Sequence, residues 1–169
     1  YKKSLKKLEK LGLLYKCNCT RKDINEFLSA PHNKNNLLNE NTYPEICKNK
    51  KINNKNFSLR IDLKKSLDLI NEEDLYFIEE GYGPKGEHGK QKFSKKFLAE
   101  NFGDIILARK DINSSYNLAV VIDDSLQKIT HVTRGNDLFE ITKIQTLLQL
   151  ILNLPRKKYH HHKLIRDKY

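Results

Sequence analysis

No run of roughly 18 apolar residues occurs in this chain, which excludes a membrane-spanning helix of the ordinary kind. Residues 1–30 are broken by Lys, Cys and Asp and hold no signal-peptide pattern. Glycine and proline are scarce, at 7 and 4, and neither an internal repeat nor a low-complexity linker is present. No GxSxG, HExxH or P-loop pattern occurs, so the commonest nucleophile-elbow, zinc-protease and phosphate-cradle routes are absent. Cysteine numbers only 3, an odd count, and two of them stand as Cys17-x-Cys19. Without a secretion signal, that pattern favours a metal or reduced thiols over disulfides.

What is present is charge. Of 169 residues 31% are charged and 38% apolar, with a net charge of +11. That length supports one core with at most a small appended module. The basic excess points to a nucleic-acid partner, because Lys and Arg neutralise phosphates. The competing reading is a solvated surface, since the lysines are spread rather than clustered. The chain opens on Tyr1 rather than Met and stops at Tyr169 in mid-pattern, so it is expected to be a segment of a longer, cytosolic protein.

Periodicity lays out the elements. Leu5, Leu8 and Leu11 share a helical face within 4–14, with Gly12 as the stop. Thr20-x-x-Asp23 has the spacing of a capping box, opening a short helix with Ile24, Phe27 and Leu28 as its buried face and Pro31 as its end. Residues 32–56 are Asn- and Lys-rich and predict a loop that only a ligand or metal would order. Phe57–Asp62 alternates and predicts a strand with Phe57, Leu59 and Ile61 on one face. Leu75–Ile78, Asp104–Arg109 and Ile129–Thr133 predict three more strands. Leu118–Leu126 fits helical spacing, although a strand over Leu118–Ile122 stays open. Thr142 is expected to cap a last long helix carrying Ile144, Leu147, Leu148 and Ile151, which Pro155 follows. The order of elements implies an α/β sheet with an inserted meander around 57–100.

Three groups of residues invite chemistry. Cys17, Cys19 and Cys47 supply three thiolates, and zinc wants four ligands in a tetrahedron. Tyr43 and His32 compete for the fourth place, with imidazole favoured on chemistry alone. Tyr116 and Arg134 flank the Leu118–Leu126 element. A guanidinium holds a carboxylate through two parallel hydrogen bonds, and a phenol adds a third; the plainer reading is a core Tyr and a surface Arg. Asp123 and Asp124 suit an amine or a ribose hydroxyl, or simply a helix end. Gly81-x-Gly83-x-x-Gly86 has dinucleotide-binding spacing, but Pro84 and the polar EHGKQKF after it argue for a turn instead. His160, His161 and His162 alternate faces in a strand and cannot easily share one metal, so at least one faces the core.

Several segments together carry a resemblance. LEKLGLLYKCNCTRKDI, TYPEIC, FSLRIDL, the stretch from Phe102 to Thr142 and YHHHKLIRD resemble, in order, segments of the class I glutamyl-tRNA synthetase family. Within it they are most similar to the short paralogues that lack an anticodon-binding domain. Asn113 and Lys163 depart from the family, standing where many relatives carry proline.

The resemblance implies an α/β fold: residues 1–169 as a partial Rossmann-like catalytic domain. It implies a zinc-binding module over 17–47, a connective acceptor-binding insertion over 57–100, and the second half of the Rossmann-like fold over 103–169. It assigns Cys17, Cys19, Tyr43 and Cys47 to one zinc ion, displacing His32, and Tyr116 and Arg134 to the glutamate substrate. It implies ATP with Mg, L-glutamate and tRNA(Asp) as partners of a monomeric, cytoplasmic ligase that modifies the queuosine base. The same-class alternative charges tRNA(Glu); the different-class one is a catalytically dead, zinc-stabilised RNA-binding module. The family's HxGH-like motif is expected before Tyr1 and its KLSK-like loop after Tyr169. No catalytic residue is therefore expected in this segment, which alone is expected to be inactive.

Overall fold

The structure, a computed structural model, describes residues 1–29 and 43–165. In chain order the elements are α1 (Lys2–Lys10), β1 (Leu14–Cys17), α2 (Arg21–Ser29), β2 (Ser58–Ile61), α3 (Leu63–Asp68), β3 (Tyr76–Glu79), β4 (Gly89–Lys92), α4 (Lys95–Asn101), β5 (Ile106–Ala108), α5 (Tyr116–Leu126), β6 (His131–Gly135), α6 (Ile141–Leu152) and β7 (Lys158–His162). Short 3-10 turns lie at Glu72–Asp74 and Asn136–Leu138. The chain divides into two compact units, Tyr1–Leu69 with Lys96–Ala119, and Ile70–Lys95 with Val120–Tyr169. No helix among the described residues is long and apolar enough to cross a membrane.

The first unit is built on a three-stranded antiparallel sheet in the order β1-β2-β5. Helix α1 buries Leu5 and Leu8, one turn apart, and turns its lysines outward. It stops where expected: Gly12 takes a φ of +69°, a conformation that glycine adopts without steric cost, and the Leu13 amide closes back on the Leu8 carbonyl at 3.0 Å. The capping box at Thr20 forms as well, the Thr20 hydroxyl and amide both donating to the Asp23 carboxylate. The buried face expected of α2 does not form. Phe27 is exposed, Ile24 and Leu28 are half-buried, and Ile24 packs against the cysteine cluster. His32 and Pro31 lie outside the described residues.

Strand β2 breaks the expected alternation. Ser58, Arg60 and Ile61 are buried and Leu59 only partly so. The cause is a register shift against β5 between Leu59 and Arg60, which rotates successive side chains out of strict alternation. The arginine so buried is met from several sides. Its guanidinium donates to the Asp104 carbonyl at 2.7 Å and lies 3.5 Å from the centre of the Tyr43 ring.

Beside it, the Asp104 carboxylate is almost wholly out of water. It accepts from the Tyr15 hydroxyl at 2.7 Å and the Leu63 amide at 2.8 Å, and faces Lys48 Nζ at 3.4 Å. Lys48 also reaches Asp62 at 3.1 Å and Glu45 at 2.9 Å. Burial works against its ammonium, but these carboxylates outweigh it and hold its pKa above the ordinary lysine value. Burial, the Asp104 hydrogen bond and the Asp104 charge together push the Tyr15 phenol well above its own.

The second unit contains a four-stranded mixed sheet, β4-β3-β7-β6. β3 and β4 form an antiparallel hairpin; β7 runs parallel to both β3 and β6. Parallel neighbours need a crossover, and α6 supplies it between β6 and β7. Nine of its twelve residues are buried. It ends on Asn153 in the left-handed conformation, φ +57°, and Pro155 follows. The aromatic centre comprises Phe77, Phe139, Tyr159 and His161, with Phe77 edge-on to Phe139 at 5.3 Å.

Two expectations change here, and one alternative left open is decided. Thr142 is not the cap of α6: it is fully buried inside the helix, and its hydroxyl donates to the Leu138 carbonyl at 2.9 Å. The meander over 57–100 is divided, since β2 pairs with β1 and β5 whereas β3 and β4 join the other sheet. Leu118–Ile122 lies in a helix, α5. The Gly81–Gly86 segment is the turn joining β3 to β4, with no helix after it, in line with rejection of a dinucleotide motif.

Replacing Lys48 by Met would leave the Asp62 and Asp104 carboxylates short of their shared cation. The expected cost is about 3–5 kcal/mol, the range for stripping a buried charge of its partner. Denaturant unfolding of Lys48→Met against the parent chain measures it.

Candidate functional site

Four side chains singled out in the sequence converge in the first unit. The Sγ atoms of Cys17, Cys19 and Cys47 all lie within 4.8 Å of one another. Cys19 and Cys47 are 3.2 Å apart. The Tyr43 hydroxyl sits 3.3 Å from Cys17 Sγ and 3.5 Å from Cys19 Sγ. A tetrahedral ion with bonds of about 2.3 Å to sulfur holds its sulfurs about 3.7 Å apart, so these donors are already at chelating separations.

Local structure places them. Cys17 ends β1, and Cys19 follows one residue beyond Asn18, before α2 begins. Tyr43 and Cys47 arrive from the other side on an irregular turn containing Glu45 at φ +55°. Tyr15, Ile24, Ile46 and Ile52 pack around the group and shield it.

The electrostatics suit anionic sulfur at one position. Burial pushes the Cys47 thiol up, but hydrogen bonds from Tyr43, Cys19 and the Asn18 backbone prevail and bring it down to about 7. Burial dominates at Cys19, whose pKa rises to about 11. It also raises the Tyr43 phenol, with the thiols adding to the effect. One feature opposes that, the Cys47 amide donating to the Tyr43 oxygen at 3.0 Å; the Arg60 guanidinium lies over the same ring. A bound cation would add its own charge and favour the deprotonated ligands further.

Arg134 lies on β6 in the second unit, partly buried. Its Nε donates to His161 Nε2 at 3.2 Å, one terminal nitrogen donates to Gln145 Oε1 at 2.7 Å, and the other donates to the Thr142 hydroxyl. Its guanidinium carbon is 4.9 Å from the Tyr159 ring centre. Arginine has five N–H donors; three are bound among the described residues, leaving two for a ligand. Tyr116 opens α5 within the first unit, and the residue is 53% exposed. Asp123 and Asp124 lie in the last turn of the same helix. Burial raises the Asp124 carboxyl, against the pull of Lys157 and Arg134.

Sequence reasoning missed the surroundings of Arg134. Glu79 is completely buried, and its carboxylate meets His161 Nδ1 at 2.5 Å. The signal was available, since Glu79 falls two residues after Phe77 and so on the same face of β3. His161 is 1% exposed and is the core-facing histidine expected of the triplet.

The model of class I tRNA synthetases of the E and Q type, catalytic domain, matches residues 1–168. The chain belongs to that family. A glutamyl-Q tRNA(Asp) synthetase of Rhodobacter capsulatus is 40% identical over 99% of this chain and 59% of its own length. One from Burkholderia cenocepacia is 33% identical over 99% of this chain and 51% of its own. The chain thus spans little more than half the length of these curated relatives. In fold it is similar to the glutamate-tRNA synthetase of Elizabethkingia anophelis, with a TM-score of 0.70 at 16% identity, over 100% of this chain and 33% of that one. This synthetase-family chain therefore carries a metal-competent cluster of three cysteines and a part-buried arginine with donors to spare.

Elemental analysis of the purified chain should find about one tightly held metal ion per molecule, as a closed four-donor site predicts. Cys47→Ser should abolish it and lower the melting temperature. Full metal content in that variant would exclude the cluster as the binding site.

Proposed function

We propose that this chain is part of a glutamyl-Q tRNA(Asp) synthetase: an ATP-dependent ligase that attaches glutamate to the queuosine base of tRNA(Asp). What carries the reading is similarity across nearly the whole chain to relatives of that name. The reaction has two steps. A glutamate carboxylate oxygen bonds to the α-phosphorus of ATP and displaces pyrophosphate, giving glutamyl-adenylate. A hydroxyl of the queuosine base then attacks the activated carbonyl, loses its proton and displaces AMP. Mg is expected to accompany ATP, whose phosphates would be held by parts of the protein other than this segment.

Within the segment, Arg134 neutralises a substrate carboxylate through its two uncommitted N–H groups, and Tyr116, in the other unit, is assigned to the same substrate by the family resemblance alone. Such positioning and charge stabilisation are the main contributions available to a protein in this chemistry. Cys17, Cys19, Tyr43 and Cys47 hold one zinc ion, which braces the 17–47 module structurally. The 57–100 stretch, whose β2 and β3–β4 parts join different sheets, supplies the contacts to the acceptor end of the tRNA, and residues 103–169 complete the Rossmann-like half of the catalytic domain. The net charge of +11 supports an RNA partner. The enzyme acts as a cytoplasmic monomer.

Labelled glutamate offered to the full-length protein tests the acceptor. Label should enter tRNA(Asp) carrying queuosine, and neither tRNA(Asp) lacking it nor tRNA(Glu). Label in tRNA(Glu) would instead mean ordinary charging for translation, and none in any would favour a catalytically dead RNA-binding module. Arg134→Ala should cost about 2–5 kcal/mol in glutamate recognition, the range for removing one partner of a desolvated charge pair. Unchanged glutamate dependence would remove Arg134 from the substrate site.

A further inference from the structure

We infer that Glu79 and His161 are positioning residues that lock the Arg134 guanidinium in its substrate-holding orientation, through a fixed imidazole tautomer. The inference rests on the assignment of Arg134 to the substrate carboxylate, and concerns what holds that arginine in place.

The argument begins with the carboxylate. Glu79 is at the end of β3, with no exposed surface. Its Oε1 accepts from the Gly81 amide at 2.9 Å and the His161 amide at 2.9 Å, and its Oε2 faces His161 Nδ1 at 2.5 Å. Three donors thus surround one buried anion. Only a residue without a side chain lets the backbone come so close: a Cβ at Gly81 would lie 2.7 Å from the His161 carbonyl and 2.9 Å from Glu79 Oε1. The carboxylate has been given a cradle, and the cradle fixes where its remaining oxygen points.

That oxygen decides the state of the imidazole. A carboxylate accepts and cannot donate, so His161 must carry its proton on Nδ1. On the other side Arg134 Nε only donates, at 3.2 Å, so Nε2 must present its lone pair. Both demands are met by one species, the neutral Nδ1–H imidazole. Burial also holds the His161 pKa below its ordinary value, against the pull of Glu79, which preserves the neutral form. The ring is clamped mechanically as well, stacked on Tyr159 at 5.9 Å and edge-on to Phe139 at 5.1 Å.

The result for Arg134 is directional. His161, Gln145 and Thr142 take one hydrogen bond each from its three nitrogens, and the Tyr159 ring lies beside the guanidinium plane. Rotation about the side chain would break several contacts at once. A guanidinium that is already oriented loses less freedom on binding a carboxylate, and the gain falls on substrate affinity rather than on bond making. At metal sites, removing the partner that orients a ligand changes affinity or activity by about 10- to 100-fold, and an effect of the same order is expected here.

The test uses the full-length protein, with calorimetric titration of L-glutamate and steady-state transfer to tRNA. Glu79→Gln keeps the shape but can turn an N–H towards His161 and release the tautomer. It should weaken glutamate binding and raise the glutamate KM by about 10- to 100-fold. The kcat at saturating glutamate and the KM for ATP should stay within about threefold, a split that mere loss of folded protein would not produce. His161→Leu keeps a buried apolar body and removes the acceptor, and should behave alike. His161→Gln restores an acceptor for Arg134 Nε and should recover part of the affinity. Should Glu79→Gln not fold, the two His161 variants decide, and equal glutamate affinity in them would overturn the inference. So would parental affinity in Glu79→Gln while Arg134→Ala loses it. If Arg134→Ala also binds glutamate normally, the substrate assignment itself has failed.

Discussion

A carboxylate taken wholly out of water has to be met by donors, and each unit of this protein is arranged around one. In the first it is Asp104, reached by the Tyr15 hydroxyl, the Leu63 amide and Lys48. In the second it is Glu79, reached by two backbone amides and His161. Leaving either anion unpaired in the interior would cost several kcal/mol, on the order of the whole stability of a small domain. The donors come from distant parts of the sequence, so satisfying the charge also fixes how strands, turns and helices meet. Tyr15 and Asp104 are 89 residues apart, Glu79 and His161 82.

The first of these knots supports the cysteine cluster. Lys48 follows Cys47 directly and is tied to Asp62 and Asp104, while Arg60 donates to the Asp104 backbone and lies over the Tyr43 ring. Two of the four metal-competent donors are thus anchored by ionic contacts just outside the cluster. Among the described residues its apolar shell comprises Tyr15, Ile24, Ile46 and Ile52, and α2 contributes Ile24 to it. Around the cluster, the charged contacts of Lys48 and Arg60 therefore add to what hydrophobic burial provides.

Legibility followed physical scale. The short-range patterns could be read directly: the Leu5–Leu8 helical face, the Gly12 stop, the Thr20–Asp23 box and the long apolar face of α6. The convergence of Cys17, Cys19 and Cys47 was anticipated because thiolate spacing is a local code; Tyr43 came from the family resemblance alone, since imidazole at His32 was the choice on chemistry. What escaped depended on distant partners. The β2 alternation failed at a register shift that no single strand encodes, and Thr142 looked like a cap because its burial is set by β6 and β7. Of Glu79 and His161 only the histidine was visible, as a core-facing member of its triplet; Glu79 stood one residue past the strand expected to end at Ile78. Their pairing was not visible either, since it arises only when β7 is laid beside β3.

The second knot also explains why the residue at position 134 must be an arginine. A lysine ammonium is a compact charge with three donors on a flexible stem, and holding His161, Gln145 and Thr142 would use all of them. It would then have nothing left for a ligand. The planar guanidinium has five donors in fixed directions, so it can be bound from behind and still present two in front. The charge it carries is offset across the imidazole by Glu79, which lets an arginine stay partly buried before any anion arrives. A carboxylate ligand would then enter a site whose donors are already aimed and whose positive charge is only partly compensated. Rigidity and residual charge come from the same chain of contacts, with the buried anion two hydrogen bonds behind the arginine.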